Sequence, residues 1–422
     1  MAATKKGGRT LVVGLGKTGL SCARWLTAQG ERVAVIDSRE HPPGLDALRA
    51  EMPDVAVFLG GFEARAFEQA DRLVVSPGVS LQTPPISAAL VRGVEVVGDI
   101  DLFAAATDRP VVAITGSNGK STVTTLMGVM AEQAGVNVAV GGNLGTPALD
   151  LLADKSTELF VLELSSFQLE TTRRLKPVAA VVLNVSEDHM DRYPDLASYA
   201  AAKQGIFNGD GAMVINRDDA VVAAMADSKR RVVGFTLERP AAGDFGIVEH
   251  NGAEWLAQGD RPLMATAELL IPGRHNLANA LAALALAEAI DLPMEARLRS
   301  LRGFRGLPHR TEWVADIDGV SWYNDSKATN VGAAIAALNG MGGPLVLIAG
   351  GDGKGADFSP MREPVAANCR AVVLIGRDAP ILEQALAGSA SLVRAKDMAD
   401  AVDRCSQLAR QGDKVLLSPA CA

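Results

Sequence analysis

Short runs of β-branched residues that end in Gly, Ser or Asn alternate with Ala- and Leu-rich stretches along most of the 422-residue chain. Strands that alternate with helical stretches are typical of parallel sheets, because each helix carries the chain back across the sheet. At about 150 residues per domain, a chain of this length holds roughly three such units. The pattern therefore predicts an α/β protein of three domains.

We predict the domain boundaries at residues 1–98, 99–305 and 306–422 from the positions of these blocks. The second block opens with a strand at 110–115 and closes on an Ala/Leu-rich helix that follows Pro272 and Gly273. The third holds four strands, near residues 320–323, 345–348, 372–375 and 415–417. Each block alternates strand and helix, so each is predicted to form its own sheet.

Charge and composition exclude several classes of protein. The chain has 41 Lys+Arg against 49 Asp+Glu, a formal charge of −8, and no basic run that could follow a nucleic-acid backbone. No apolar stretch approaches the roughly 18 residues of a membrane span, and the run at 11–13 is too short for a signal-peptide core. The four cysteines lack the paired spacing of a zinc site or a disulfide framework. We expect a soluble, cytoplasmic monomer with reduced thiols and no nucleic-acid partner.

A glycine-rich turn in the second domain has the setting of a phosphate-binding loop. It lies between an apolar strand and a helical stretch and reads Gly116, Ser117, Asn118, Gly119, Lys120, Ser121, Thr122. Backbone N–H groups of such a turn approach phosphates, Lys120 would meet the β/γ oxygens, and Ser121 would ligate Mg²⁺. Ile114 stands where the full Walker pattern has its first glycine, so a chance Gly-Lys-Ser in a surface turn is the simpler alternative.

Two polar residues follow the next strands of the same predicted sheet. Glu163 ends one apolar strand, and His189 lies in the polar stretch after the following strand. Ligands of α/β sheets bind at the carboxyl ends of the strands, so Glu163 is a candidate Mg²⁺ ligand. A histidine in such a loop is more often structural, and for His189 the position leaves both roles open.

The first domain contains a complete G-x-G-x-x-G at Gly14, Gly16 and Gly19, and Asp37 ends the next strand. Alone, this pattern predicts a nicotinamide dinucleotide and therefore a dehydrogenase, in which the Gly116 loop would be incidental. The turn itself requires only a pyrophosphate at a helix N-terminus, with an acid that reaches a ribose or base. A UDP-sugar offers both groups. Since a ligase could use a UDP-sugar in the first domain and ATP in the second, we favour a ligase.

Together these motifs resemble the Mur ligases over essentially the whole chain, with residues 115–122 matching the ATP loop of that family. Further blocks, in the same order, resemble its D-glutamate-adding branch: residues 141–145, 162–170, 184–193, 272–280, 307–310, 324–330 and 350–358. The resemblance implies a Rossmann-like UDP-binding domain, a central P-loop ATPase α/β domain and a C-terminal Rossmann-like α/β domain that binds the amino acid.

The resemblance also implies a reaction in peptidoglycan precursor synthesis, with ATP and two Mg²⁺ ions as cofactors. ATP would phosphorylate the carboxylate of UDP-N-acetylmuramoyl-L-alanine, the amine of D-glutamate would attack the acyl phosphate, and phosphate would leave. The alternatives are another Mur-type or a folylpolyglutamate-type ligase, a dehydrogenase, or a nucleotide-regulated binding protein without turnover.

Site residues carried over by position fall into five sets. The catalytic set is Lys120, Asn143, His189, Lys203 and Lys327. The ATP set is the loop from Gly116 to Thr122 with Asn276, Asn279, Arg310 and Asp325. The UDP-substrate set is Gly14, Gly16, Lys17, Thr18, Asp37, Ser38, Arg39, Ser76, Asn143 and His189. The D-glutamate set is Lys327, Thr329 and Lys354, and the metal set is Ser121, Glu163, His189 and Lys203.

Lys203 matches the lysine that the family carries as a carbamate. Unmodified, it would be a cation beside a metal ion, and an ordinary exposed helical lysine is the simpler alternative.

The family's chains continue beyond the segment 416–422 with a serine, an aspartate and aromatic residues that help to hold the D-glutamate carboxylates. We therefore expect the third domain to be truncated here, with part of the amino-acid site lying beyond Ala422.

Overall fold

The computed structural model describes residues 8–422, so the first seven residues of the predicted first domain lie outside it. Three sheets follow one another along the chain, within residues 9–97, 111–265 and 312–417. Most strand pairs are parallel and are connected through helices. The predicted three-domain α/β fold is confirmed.

The first sheet has five strands: β1 (Arg9–Val13), β2 (Arg32–Asp37), β3 (Ala56–Leu59), β4 (Arg72–Val75) and β5 (Glu95–Val97). Its helices are α1 (Lys17–Ala28), α2 (Leu45–Glu51), α3 (Ala64–Glu68) and α4 (Pro84–Val91), and α5 (Asp99–Ala106) leads to the second domain. The strand order is β3-β2-β1-β4-β5, with every pair parallel. The order reverses between β1 and β4, and the carboxyl ends of strands at such a point form a ligand crevice.

The second sheet has nine strands: β6 (Val111–Thr115), β7 (Val138–Gly142), β8 (Leu159–Glu163), β9 (Ala179–Val182), β10 (Ala212–Asn216), β11 (Val232–Phe235), β12 (Phe245–His250), β13 (Ala253–Gln258) and β14 (Arg261–Ala265). The helices are α6 (Lys120–Gln133), α7 (Ala148–Leu151), α8 (Ser166–Leu169), α9 (Leu196–Gln204), α10 (Ala220–Ala223), α11 (Arg274–Ala289) and α12 (Met294–Gly303), with 3-10 turns at Gly205–Phe207 and Thr266–Glu268. The order is β14-β13-β12-β11-β10-β9-β6-β8-β7. Only β12, β13 and β14 pair antiparallel with one another.

The third sheet has six strands: β15 (Glu312–Ile317), β16 (Val320–Asn324), β17 (Leu345–Gly350), β18 (Cys369–Ile375), β19 (Ser391–Arg394) and β20 (Lys414–Leu417). Its helices are α13 (Val331–Met341), α14 (Arg362–Asn368), α15 (Ala379–Ala385) and α16 (Met398–Leu408), with a 3-10 turn at Ser359–Met361. The order is β15-β16-β20-β17-β18-β19, and only the edge strand β15 runs antiparallel.

The central strands of the second sheet explain how the site is held in place. Every residue of β6 and β8 is buried, as expected for parallel strands covered by helices on both faces. Helix α11 is Ala- and Leu-rich around its circumference and is buried against α6 and the sheet. The carboxyl ends of β6 and β8 are therefore rigid, and the polar residues that follow them have fixed positions.

Within residues 8–422, no helix has both the length and the apolar character needed to cross a bilayer. The four cysteines are free, and three of them are buried.

Candidate active site

The phosphate loop joins β6 to α6 through two glycines that the backbone requires. Gly116 and Gly119 have φ angles of 155° and 84°, which other residues rarely adopt. A Cβ added to Gly119 would also lie 2.3 Å from Asn279 Oδ1 on α11. Both the loop conformation and the close approach of α11 therefore depend on glycine.

Two lysines, the partly buried Lys120 and the buried Lys203, converge on one carbonyl group of this loop. Lys120 Nζ donates to Gly116 O and Ser117 O, both at 2.9 Å, and Lys203 Nζ donates to Gly116 O at 2.8 Å. Burial lowers the pKa of both side chains, and the charge of Lys120 lowers the pKa of Lys203 further. The pKa of Lys203 falls well below its usual range, which favours a neutral amine there.

Glu163 has one carboxylate oxygen without a partner. Its Oε1 accepts from Asn143 Nδ2 at 2.6 Å, whereas its buried Oε2 has no hydrogen bond. Arg310 Nη2 donates to Ser121 Oγ at 2.9 Å, leaving that oxygen's remaining lone pair as an acceptor. An unpartnered buried carboxylate oxygen and a hydroxyl oxygen fit a hard divalent cation. Among the residues described, however, no cluster of three or more His, Cys, Asp and Glu side chains could hold a metal.

His189 lies in a strained turn beside the loop. Its φ of 58° is unusual for a non-glycine residue, and its ring packs edge-on against Phe167 with centroids 4.7 Å apart. Burial lowers the pKa of His189, Asp188 opposes this, and Lys354 lowers it again. The imidazole is therefore favoured in its neutral form. The charge of Lys354, in the glycine-rich loop of the third domain, therefore acts on His189 of the second domain.

A cavity of about 330 Å³ opens between the second and third domains beside the phosphate loop. Eight residues predicted from the sequence line it: Asn118, Gly119, Thr122, Asn276, Asn279, Arg310, Asp325 and Lys327. Gly116, Ser117, Lys120 and Ser121 complete the loop at its edge. The structure thus brings the predicted ATP set together.

Several residues of this cavity were not predicted as ligand contacts: Asn184, Asn216, Asp219, Phe235, His275 and the α13 residues Gly332, Ala333, Ala336 and Ala337. Asn184 and His275 lie inside the blocks that resemble the Mur ligases, so they could have been predicted from the sequence. The residues of α13 could not, because an alanine-rich helix is equally typical of a protein core.

A second cavity, of about 660 Å³, lies between the first and second domains. Nine of the ten predicted UDP-substrate residues line it: Gly14, Gly16, Lys17, Thr18, Asp37, Ser38, Arg39, Ser76 and Asn143. His189 is not among its lining residues. Phe62, Val79 and Gln168 also line the cavity and were not predicted.

The glycine turn of this cavity is braced from two sides. A Cβ at Gly19 would lie 1.9 Å from Gly14 O, so α1 approaches β1 too closely for any side chain there. Asp37 Oδ2 accepts from Leu15 N at 2.7 Å, and both Asp37 oxygens accept from Arg39. Burial raises the pKa of Asp37, but these hydrogen bonds outweigh it and lower the pKa to about 2. The Asp37 carboxylate therefore orders the turn as well as facing the cavity.

The predicted D-glutamate residues approach this region from the third domain. Exposed Lys327 lines the 330 Å³ cavity, and Thr329 follows it with its N–H donating to Lys327 O at 2.9 Å. Lys354 lies in the loop after β17, with a φ of 52°. Lys327 thus lies at the cavity between the second and third domains, and the charge of Lys354 acts on His189 of the second domain.

The chain belongs to the Mur ligase family. Three family descriptions match it in succession: "Mur ligase MurD-like, N-terminal domain" over residues 8–98, "Mur ligase middle domain" over 114–287 and "Mur ligase, glutamate ligase domain" over 309–421.

Curated relatives match along nearly the whole chain. The UDP-N-acetylmuramoylalanine-D-glutamate ligase of Nitrosococcus oceani is 56% identical over 415 residues, covering 98% of this chain and 92% of the relative. The ligase of the same name from Pseudomonas aeruginosa is 55% identical over 416 residues, covering 98% and 93%. A solved UDP-N-acetylmuramate-alanine ligase from Thermotoga maritima is 16% identical, with a TM-score of 0.60 over 97% of this chain and 95% of that one. The structural likeness shows the shared fold.

Proposed function

We propose that this chain is an ATP-dependent ligase that forms an amide bond between UDP-N-acetylmuramoyl-L-alanine and D-glutamate, in peptidoglycan precursor synthesis in the cytoplasm. One observation carries the proposal, namely that Asn143 and Glu163 connect the first-domain cavity to the phosphate loop. Asn143 lines the first-domain cavity and donates to Glu163, whose charge acts on Lys120 of the phosphate loop. The relatives that are 55–56% identical carry the name of this activity.

The arrangement suits phosphoryl transfer, which depends on alignment and on neutralising phosphate charge. Lys120 and Arg310 both lie at the loop and provide two positive charges for the γ-phosphate. The γ-phosphoryl group passes to the substrate carboxylate, which yields an acyl phosphate and ADP. The amine of D-glutamate then forms the C–N bond, loses a proton to solvent, and phosphate leaves as the C–O bond breaks.

Ser121 and Glu163 would hold one Mg²⁺ ion, because they provide the hydroxyl and the unpartnered carboxylate oxygen described above. His189 and Lys203 would hold a second ion, provided that Lys203 carries an anionic group. These ions would supply charge neutralisation at the phosphates and at the reacting carboxylate.

Lys327, Thr329 and Lys354 would bind D-glutamate, whose two carboxylates suit two lysines and a hydroxyl. A nicotinamide-dependent dehydrogenase, the alternative suggested by the G-x-G-x-x-G turn, would leave the phosphate loop and the lysine pair without a role. Membership of the Mur ligase family favours the ligase.

A mass-resolved assay tests the function directly. We expect UDP-N-acetylmuramoyl-L-alanine, ATP and D-glutamate to give one amide product with equal amounts of ADP and phosphate, and L-glutamate to give none. Hydroxylamine should trap the acyl phosphate as a hydroxamate even without D-glutamate. Equal use of L-glutamate, or extension of a folate instead of the UDP substrate, would contradict the assignment.

Ligand binding to the first domain separates the ligase from the dehydrogenase. We expect titration calorimetry to show binding of the UDP-sugar and no binding of NAD. Gly19→Ala should abolish UDP-sugar binding, because its Cβ would meet Gly14 O. Gly61→Ala is the matched control, since a Cβ at Gly61 meets nothing within 4 Å. Tight binding of NAD would support the dehydrogenase instead.

A further inference from the structure

Helix α13 of the third domain packs closely against the second domain. A Cβ added to Gly332 would lie 2.9 Å from Ser186 Oγ, and one added to Gly340 would lie 2.9 Å from His275 Nδ1. The side of the helix between these glycines lines the 330 Å³ cavity. The position of α13 therefore determines the orientation of the third domain relative to the proposed ATP site.

Asn330, the N-cap residue of α13, pairs with the phosphate loop through its side-chain amide. Asn330 Nδ2 donates to Asn118 Oδ1 at 3.1 Å, and Asn118 Nδ2 donates back to Asn330 Oδ1 at 3.4 Å. Asn330 Nδ2 also donates to Asp188 Oδ2 at 3.2 Å, and Asn330 Oδ1 accepts from Ala333 N at 2.8 Å. One buried amide thus joins the phosphate loop, the His189 loop and the start of α13.

The loop side of this pair is itself fixed. Asn118 N donates to Asn184 Oδ1 at 2.8 Å, and Asn184 Nδ2 donates to Asn118 O at 3.1 Å. Because the backbone of Asn118 is held on both sides, its side chain presents the amide to Asn330 in one orientation. A rigid partner on the loop makes the contact suitable for setting the position of the third domain.

We propose that Asn330 is a positioning residue. Through its hydrogen bonds with Asn118, it fixes the position of the amino-acid-binding segment, Lys327 to Thr329, relative to the phosphate loop. Gly332 allows this contact, since the Cβ of any other residue there would lie 2.9 Å from Ser186 Oγ in the stretch that contains His189. The inference rests on the proposed function, in which the amine of the amino acid must reach a carboxylate activated at that loop. A reacting amine displaced by about 1 Å costs about 10²-fold in rate.

Two variants distinguish a role of Asn330 in positioning the third domain from a role in stabilising helix α13 alone. Asn330→Ser keeps a hydroxyl that caps the Ala333 N–H but is too short to reach Asn118. Gly332→Ala removes no polar group and favours the helix, yet inserts a methyl group between α13 and Ser186. Asp397→Ala removes the N-cap of α16, and Gly303→Ala adds a methyl group to α12 where nothing lies within 4 Å. These two are the matched controls.

Spin-label distances give a readout that does not depend on turnover. Labels on Lys155→Cys and Gln407→Cys, both exposed, would report the separation of the second and third domains in a Cys369→Ser background. We expect one narrow distance distribution in the parent and the controls, and a broader or shifted one in both Asn330→Ser and Gly332→Ala. Unchanged distributions in both variants would overturn the proposal.

Kinetics provide the second readout. We expect kcat/KM for the amino acid to fall by about 10²-fold in both variants, while thermal stability follows the controls. ATP affinity and hydroxamate formation are compared in Asn330→Ser alone, because Gly332 lines the 330 Å³ cavity, and both should follow the controls. Equal losses in nucleotide affinity and amide formation would mean that Asn330 is merely structural. If D-glutamate were not the substrate, the amide assay would fail in the parent too. The distance measurement would still test whether Asn330 fixes the position of the third domain.

Discussion

Lys120→Ala is expected to lower ATP-dependent phosphate release on the order of 10³-fold, the cost of losing a preorganised charge at a reacting group. Lys120 provides the only positive charge within the loop 116–122. Its Nζ is already directed at the loop, where it donates to the Gly116 and Ser117 carbonyl groups. A nucleotide would exchange these neutral acceptors for phosphate oxygens, so the charge acts mainly in the reaction.

The fold should survive this substitution. Burial lowers the pKa of Lys120, because desolvation disfavours its charged form, so loss of this charge should not destabilise the fold. Lys155→Ala, on an exposed lysine of the same domain, is the matched control for loss of a charge. Substrate-dependent phosphate release and the melting temperature measure the two effects. Near-normal release by Lys120→Ala would show that the loop does not bind ATP phosphates in the proposed way.

The two glycine turns could be found from the sequence because their geometry restricts which residues can occupy them. Gly14 and Gly119 need positive φ angles, and Gly19 leaves no room for a Cβ beside Gly14 O. Such local constraints leave a readable pattern of glycines between a strand and a helix. The strand that ends in Glu163 could also be predicted locally, because its run of apolar residues is typical of a buried strand.

Contacts between domains could not be found in this way. Asn118 and Asn330 are 212 positions apart, and nothing near either residue indicates that their amides meet. Phe235 and Asp219 line the 330 Å³ cavity from a strand and a turn whose sequences resemble any other α/β element. Pairing at such distance depends on how whole domains pack, which local propensity does not determine.

Asp37 illustrates a subtler difference between pattern and structure. Its position at the end of β2 predicted a ligand contact, and it does line the first-domain cavity. The structure adds that its carboxylate is occupied by Leu15 N and by Arg39. A spacing rule identifies the position, whereas the hydrogen bonds show that the residue also braces the turn.

Lys203→Ala is expected to remove most activity, about 10²-fold, because we propose that Lys203 is carbamylated and acts as an anionic metal ligand. The Nζ atom is buried on α9, 4.3 Å from the Tyr199 ring centroid, and it shares the Gly116 carbonyl with Lys120. Carbon dioxide reacts only with a neutral amine. Burial and the charge of Lys120 lower the pKa of Lys203 well below its usual range, so a neutral amine is available.

The carbamate and the cation make opposite predictions for rescue. A carbamate presents two oxygens and a negative charge, which Mg²⁺ prefers to an amine, so acetate should restore part of the activity of Lys203→Ala and methylamine should not. Lys203→Arg keeps a positive charge but cannot form the carbamate, and it should be as inactive as the alanine variant. Incubation with ¹³C-bicarbonate should give a carbamate resonance in the parent protein that is absent from both variants. Rescue by methylamine, or an active Lys203→Arg without that resonance, would mean that Lys203 works as a cation.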